Sequence, residues 1–322
     1  IDMSGQSWTG IASNQDYTGV FDGQGHTISN LTGTEGLFAK NSGTVKNVRL
    51  ENVSITREGG NLGAVVGVNT GTVFNCFSSG SITGTGANAW SIGGLVGHNN
   101  GGILSGSASS CTVSGKTTGG LVGSNWHDGN HSHGAITACI YTGIAANPVE
   151  GDNHYSNSTN VYYKDINGNW KSYPSNTAAD EHTMIQIVND YISENGGAFF
   201  VNGDGTTYPV GAVPYLEYTE NGFVTEYAQT YTVIDSENAP TKWTSSWYVV
   251  DGSVTIDSRV TVTGDVKLIL KNGANLTVNG GIDVSGTSNS FTVYAQSTDE
   301  SKMGGLTATA ADETGNAGIG SS

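Results

Sequence analysis

The chain has 322 residues, 48 of them glycine, with 36% hydrophobic and only 12% charged side chains. Its formal charge of −16 is carried by residues 126–322, with twenty-two acidic and seven basic side chains against six and five in residues 1–125. Acidity of this kind disfavours nucleic acid and anionic membranes, and no apolar run reaches the ~18–20 residues that span a bilayer. A polar fraction rich in Ser, Thr, Asn and Gly favours close-stacked strands and turns over helices.

Internal repetition dominates the first half. Leu37-Phe38-Ala39-Lys40-Asn41, Val65-Val66-Gly67-Val68-Asn69, Leu95-Val96-Gly97-His98-Asn99 and Leu121-Val122-Gly123-Ser124-Asn125 follow one another at offsets of 28, 30 and 26 residues. Each Asn precedes a glycine turn at Gly43, Gly71, Gly101 or, after an insertion, Gly134. A second apolar pair follows: Val45 and Val48, Val73 and Cys76, Ile103 and Gly106, Ile136 and Cys139. A third short strand closes each unit at Val53-Ser54-Ile55, Ser81-Ile82-Thr83, Thr112-Val113 and near 140–144. Strands of three to five residues gain a full hydrogen-bond ladder only by stacking on the next unit at ~4.8 Å. Three strands per unit predict one solenoid coil per repeat; a propeller blade needs four, and the leucine-rich pattern is absent. Leu37, Val65, Leu95 and Leu121 are expected in one inward column. Asn41, Asn69, Asn99 and Asn125 are expected at coil corners, in left-handed turns or amide ladders.

The runs Gly93-Gly94-Leu95-Val96-Gly97-His98-Asn99 and Gly119-Gly120-Leu121-Val122-Gly123-Ser124-Asn125 resemble the GLUG motif. That repeat occurs in bacterial surface adhesin-like proteins and in non-catalytic parts of immunoglobulin A peptidases. Phe21-Asp22-Gly23-Gln24-Gly25-His26-Thr27-Ile28 resembles the opening coils of such solenoids. The resemblance covers residues 15–145 and implies a bacterial cell-surface or secreted setting.

Residues 146–176 are irregular. One helix is then expected over 178–194, with Thr177 as N-cap, Asp180 and Glu181 in the first turn and Asn195-Gly196 as the stop. Its apolar face of Met184, Ile187, Val188, Tyr191 and Ile192 suits a cap over the last coil. From about 225, alternating segments at 247–250, 254–256, 260–262, 268–270, 276–278, 291–294 and 306–308 predict a second β-solenoid unit.

Signals for chemistry are sparse. Glycoside hydrolysis needs paired carboxylates about 5–10 Å apart; between residues 36 and 127 only Glu51 and Glu58 are acidic, near Lys46, Arg49 and Arg57, with Asp22 upstream. His-Glu-x-x-His and Gly-x-Ser-x-Gly motifs are absent. Cys76 and Cys139 align two coils apart, ~10 Å by the coil spacing, too far for a disulfide. With Cys111 on another strand, all three are expected as buried free thiols. His127, His131 and His133 could hold Zn²⁺. Asp165-Ile166-Asn167-Gly168-Asn169 and Asn202-Gly203-Asp204-Gly205 resemble Ca²⁺ loops but lack the full pattern, which favours Asn-Gly turns. Trp90, Trp126, Trp170, Trp243 and Trp247 are candidate sugar platforms.

The expectation is therefore an all-β chain. Residues 1–222 form a right-handed parallel β-helix with a helical cap, and residues 223–322 a second solenoid-like unit. The function expected is a non-enzymatic, adhesin-like scaffold, extracellular or on the cell surface, a monomeric segment of a longer protein that meets a host protein, matrix or glycan ligand. No catalytic, cofactor or metal residue is assigned, with Ca²⁺ or Zn²⁺ the minor alternative. The alternatives in function are a carbohydrate-active β-helix enzyme and the non-catalytic stalk of an immunoglobulin A peptidase-like protein.

Overall fold

A computed structural model describes residues 1–126, 134–152, 157–203, 206–220, 222–310 and 317–320. The chain divides into two compact units, Ile1–Val210 and Gly211–Ser322. Among the described residues the regular structure, apart from one helix, is β, and most pairings are parallel.

In the first unit the chain returns again and again to the same three sheets. Phe38–Asn41, Val66–Asn69, Val96–Asn99 and Val122–Ser124 form one parallel sheet, with Phe38, Val66, Val96 and Val122 in register. Leu62–Gly63, Ile92–Gly93 and Thr118–Gly119 form a second. The third is the widest. There Thr44–Glu58 lies beside Thr72–Thr85, followed by Ile103–Ser105, Ala108–Ser109 and Thr112–Ser114, then Ala135–Tyr141. Leu37, Val65, Leu95 and Leu121 are all buried in one core with Val45, Val73, Leu104 and Ile136. Stacking starts before the motifs, with Asp2 bridging Ser29 and Ile11 bridging Phe38, and runs past them to Glu150.

Two features hold the repeats in register. Asn41 Nδ2 donates to Asn69 Oδ1 (2.9 Å), Asn69 to Asn99 (2.8 Å) and Asn99 to Asn125 (3.0 Å). The same amides donate to the carbonyls of Gly43, Gly71, Gly102 and Gly134. The expected ladder is therefore present, but none of its four members has positive φ. The left-handed corners are other residues: Asn47, Asn52, Asn75, Ala138 and Asn160, with φ of 56, 55, 48, 52 and 54°. Close backbone approach is the second feature. A Cβ on Gly93 would overlap the Val96 carbonyl, and one on Gly97 would overlap the backbone at Asn61 and Leu62.

The third repeat departs from the sequence alignment by one residue. Leu104, not Ile103, pairs with Val73 and Ile136, and Ile103 is 45% exposed. The turn after Asn99 holds one more residue than those after Asn41 and Asn69, so Gly102 rather than Gly101 receives the ladder bond. Because strand side chains alternate, that extra residue moves the inward position along by one.

The helix spans Glu181–Glu194 with Asp180, not Thr177, as N-cap, its carboxylate accepting from Thr183 N at 2.9 Å. It does not lie over the last coil. Met184, Val188 and Ile192 pack with Phe77, Ala108, Ala138, Ile140 and Tyr162, which come from successive passes of the wide sheet. The helix therefore lies along the flank of the stack. Ile185 packs against this cluster, whereas the expected Ile187 is not part of it. The wide sheet ends differently: Asn157–Lys164 adds in parallel to Ala135–Tyr141, and Trp170–Tyr173 then pairs with it antiparallel. A reversal of this kind stops further parallel stacking at the edge.

The second unit opens with an antiparallel hairpin, Val213–Thr219 and Gly222–Ala228. A domain boundary at 222/223 would cut that hairpin, whose Val213 and Ala228 pack on Val249 and Ile269. Parallel pairing then links Tyr231–Ile234, Lys242–Val250, Val260–Leu270 and Ser290–Ala295. A second parallel sheet joins Ser253–Ile256, Asn275–Val278 and Gly305–Ala308. The core between them contains Trp243, fully buried.

Replacing Asn99 with Leu removes hydrogen bonds to Asn69, Gly102 and Asn125 from a buried position, and should lower stability in urea by roughly 3 kcal/mol. Ser42→Ala, at an exposed hydroxyl, should cost under about 1 kcal/mol. Equal losses would show that the ladder does not set stability. Val188→Asp should abolish cooperative unfolding of the first unit, because it places an unpaired charge among apolar side chains. Ile187→Asp should cost about 1 kcal/mol or less.

Candidate functional site

The wide sheet carries an irregularity that the repeats do not require. Thr44–Glu58 and Thr72–Thr85 pair residue for residue as far as Leu50 with Ser78, and resume at Val53 with Gly80. Glu51 and Asn52 thus stand opposite the single residue Ser79, a β-bulge that redirects both side chains. Asn52 N donates to Ser79 Oγ (3.1 Å), and Asn52 Nδ2 donates to Asn30 Oδ1 (2.6 Å). Arg49, on the same strand face two residues earlier, donates from Nη2 to Glu51 Oε1 at 2.7 Å.

A second wall comes from the hairpin Phe199–Val201 and Thr207–Pro209. It is held against the stack by two of the left-handed asparagines. Asn75 Oδ1 accepts from Ala198 N (2.8 Å) and Phe199 N (3.2 Å), and Asn75 Nδ2 donates to Phe199 O (2.9 Å). Asn47 Oδ1 accepts from Ala198 N as well (3.1 Å). A left-handed residue in a strand turns its side chain away from the ladder, here outward to the hairpin.

Between these walls lies a cleft of about 430 Å³, lined by Arg49, Glu51, Asn52, Phe77, Ser79, Ser110, Thr206 and Thr207. Of these residues, Arg49 and Thr207 each carry a buried atom, Nε and Oγ1, with no protein hydrogen-bond partner. Sequence reasoning named Arg49 and Glu51 but not Ser79, Ser110 or Thr207. The Arg-x-Glu spacing on one strand face was the available signal; the hairpin wall had none.

Farther along the same strands lies an exposed array. Ser7, Thr32, Ser54, Ser81 and Thr112 are in register in five successive passes, and all five are exposed. Thr56, Thr83 and Ser114 form a second registered column two residues on. The inward residues between the columns, Ile55, Ile82 and Val113, are buried.

Glu51 is paired with Arg49, Lys46 with Asp22 at 3.3 Å, and Arg57 with Glu35. Partial burial opposes ionisation of Asp22, but hydrogen bonds from Asn47 and Gln24 and the Lys46 ammonium hold its carboxyl below the usual range. Asn52, with φ of 55°, separates Glu51 from Glu58 along the chain, and Glu51 is engaged by Arg49. Asp165 is an Asn-Gly turn residue: Asn169 N and Asn167 N donate to it at 2.9 Å and lower its carboxyl pKa. Asn202 Nδ2 bonds Thr206 Oγ1 (2.9 Å), while Asp204, Gly205 and the loop with His127, His131 and His133 lie outside the described residues. Among the described residues no three His, Cys, Asp or Glu side chains converge on a metal position. No helix among them is long and apolar enough to cross a membrane. Trp170 and Trp243 are buried. Trp90 and Trp126 are exposed, Trp90 with Lys116 Nζ 3.7 Å from its ring centroid. Trp247 packs in the second unit with Tyr215 and Tyr294.

All three cysteines are free and buried. Cys76 and Cys139 occupy one column with Ser107 between them, whose Oγ accepts from Cys76 N at 2.9 Å. Burial pushes the thiols of Cys76 and Cys139 up to about 12 and that of Cys111 up to about 11.

No family model matches the chain, so the GLUG resemblance rests on the motif residues alone. An alignment of 98 positions that covers 28% of the chain is 41% identical to halomucin from Haloquadratum walsbyi (strain DSM 16790 / HBSQ001), and spans only 1% of that protein's length. A solved structure of a candidate immunoglobulin A1 protease from Bacteroides ovatus aligns over 65% of this chain and 83% of its own, at 17% identity and a TM-score of 0.43.

The native protein should resist thiol labelling and should label near three per chain once denatured. An unfolded thiol ionises near ~8.5, whereas the folded thiols keep their protons until well above that. The unfolded state therefore binds fewer protons in this window. The stability contributed by the thiols is complete below ~8.5 and is lost as pH rises toward 12, at up to about 1.4 kcal/mol per pH unit for each thiol. Cys139→Ala should make the alkaline decline measurably shallower than in the parent; parallel curves would contradict the assignment.

Proposed function

We propose that this chain is a non-enzymatic segment of a cell-surface or secreted bacterial protein, an adhesin-like scaffold. Its first unit winds as a right-handed parallel β-helix, the hand that parallel crossover connections overwhelmingly take. The observation that carries the reading is the registered array of Ser7, Thr32, Ser54, Ser81 and Thr112 with its companion column Thr56, Thr83 and Ser114. Buried Ile55, Ile82 and Val113 hold these strands rigid, so the hydroxyls repeat at ~4.8 Å along the stack and ~6.6 Å along the strand. A rigid, uncharged hydroxyl lattice suits an extended ligand that is itself repetitive, such as a glycan chain or matrix polymer, whose groups it meets many times over. The similarity of part of the chain to halomucin and the GLUG-like motifs support an extracellular setting.

A glycan and matrix-protein array probed with the intact chain should give binding to an extended polymer. Ser81→Tyr, which places a ring in the middle of the array without touching the core, should reduce that binding at least about tenfold, the scale of one or two lost hydrogen bonds. Absence of any binder, or a binder indifferent to Ser81→Tyr, would overturn the reading.

A further inference from the structure

We infer that the cleft between the wide sheet and the 199–209 hairpin is a binding site for one neutral, hydroxyl-rich ring, a single sugar residue or a cyclic polyol. This goes beyond the hydroxyl array and does not rest on it, because the residues that build the two features are different.

Buried polar atoms are almost always hydrogen-bonded, and each one left unmade costs free energy. Here two residues that line one cavity, Arg49 and Thr207, each carry such an atom, Nε and Oγ1, and Thr207 is only 9% exposed. They come from parts of the sequence far apart, so neither is a by-product of a shared turn. No group among the described residues satisfies either one. A volume of about 430 Å³ lies within the range of small-molecule sites.

Charge selects the ligand class. Glu51 already compensates the Arg49 guanidinium at 2.7 Å, so an anion would gain little from the arginine and would be repelled by the carboxylate. A bare cation would find one carboxylate, itself engaged by arginine. A neutral hydroxyl meets both groups well: it accepts from the Arg49 guanidinium and donates to Glu51, and charge-assisted bonds of this kind are the strong ones. Thr207 Oγ1 and Ser79 Oγ supply hydroxyls for further positions on the same ring, and Phe77 adds an apolar surface beside Arg49, its registered neighbour. Donors, acceptor and aromatic carbon in one half-open cleft match a molecule that carries hydroxyls around a C–H face.

The test is ligand-observed saturation-transfer NMR on the intact chain with glucose, galactose, mannose, N-acetylglucosamine and inositol, and with glucuronate as the anionic control. At least one neutral member should bind and glucuronate should bind more weakly. Thr207→Val keeps the side-chain shape and removes an unpartnered buried hydroxyl. It should leave the thermal midpoint unchanged or higher while weakening that sugar about fivefold to tenfold. Glu51→Gln should weaken it about tenfold or more. Ser81→Tyr, in the hydroxyl array, should leave it unaffected. The assignment is overturned if no neutral member binds, if glucuronate binds as tightly as the neutral sugars, or if Thr207→Val and Glu51→Gln bind like the parent. Sugar binding lost in Ser81→Tyr but retained in the cleft variants would sustain the array and reject the cleft.

Discussion

The first unit depends on a single constraint: each pass of the chain must meet the previous one in one register. Short strands have no stability alone, and a slip by one residue would turn their apolar positions outward. The Asn41–Asn69–Asn99–Asn125 ladder fixes this register from inside. Each amide bonds both its counterpart and a turn carbonyl, so a shifted repeat would strand several buried polar groups at once. The glycines at 93 and 97 act sterically in the same direction, since only a residue without Cβ lets the neighbouring backbones come so close. Where the turn after Asn99 gains a residue, the ladder stays in place and the strand beyond adjusts, bringing Leu104 inward.

A second column performs the opposite task. Asn47, Asn75, Gly106, Ala138 and Asn160 occupy matching positions in the wide sheet, all with positive φ. Asparagine and glycine tolerate that region at low cost. Their repetition bends every strand at the same level and leaves outward-facing amides beside small residues. Ile192 of the helix packs at Gly106, and the backbone of residues 198–199 takes up the amides of Asn47 and Asn75. The helix and hairpin are thus attached to the side of the stack by polar contacts of defined direction as well as by apolar burial. That attachment forms the cleft.

The ends of the stack are treated differently again. Phe38 replaces the valine found in later repeats, and its ring meets Tyr17 at 4.8 Å and Phe21 at 5.3 Å. These aromatic side chains fill the core where the pass through Ile11, Tyr17 and Phe21 stacks on the first repeat. At the other end Trp170–Tyr173 reverses direction against Asn157–Lys164, and the bridge between Lys171 and Ala178 partly covers the resulting edge. Neither device requires the helix, which leaves it available for the flank.

Sequence alone was sufficient for the parallel strands, the inward column of Leu37, Val65, Leu95 and Leu121, the amide ladder and the paired cysteine positions. All of these follow from a period and from the strict alternation of strand side chains, which are properties of neighbours in the chain or of equivalent positions in successive repeats. It did not determine which asparagines would be left-handed, because the ladder and corner residues are chemically identical and only their pairing partners distinguish them. It gave the helix an apolar face but no partner for that face, since the end and the side of a stack expose similar carbon. The cleft was the least legible feature. Arg49 and Glu51 are visible as a pair, yet Thr207 comes to line the same cleft only because an asparagine more than 120 residues away binds the hairpin at residues 198–199. A site assembled across that distance has no local pattern, and only the packed tertiary structure decides it.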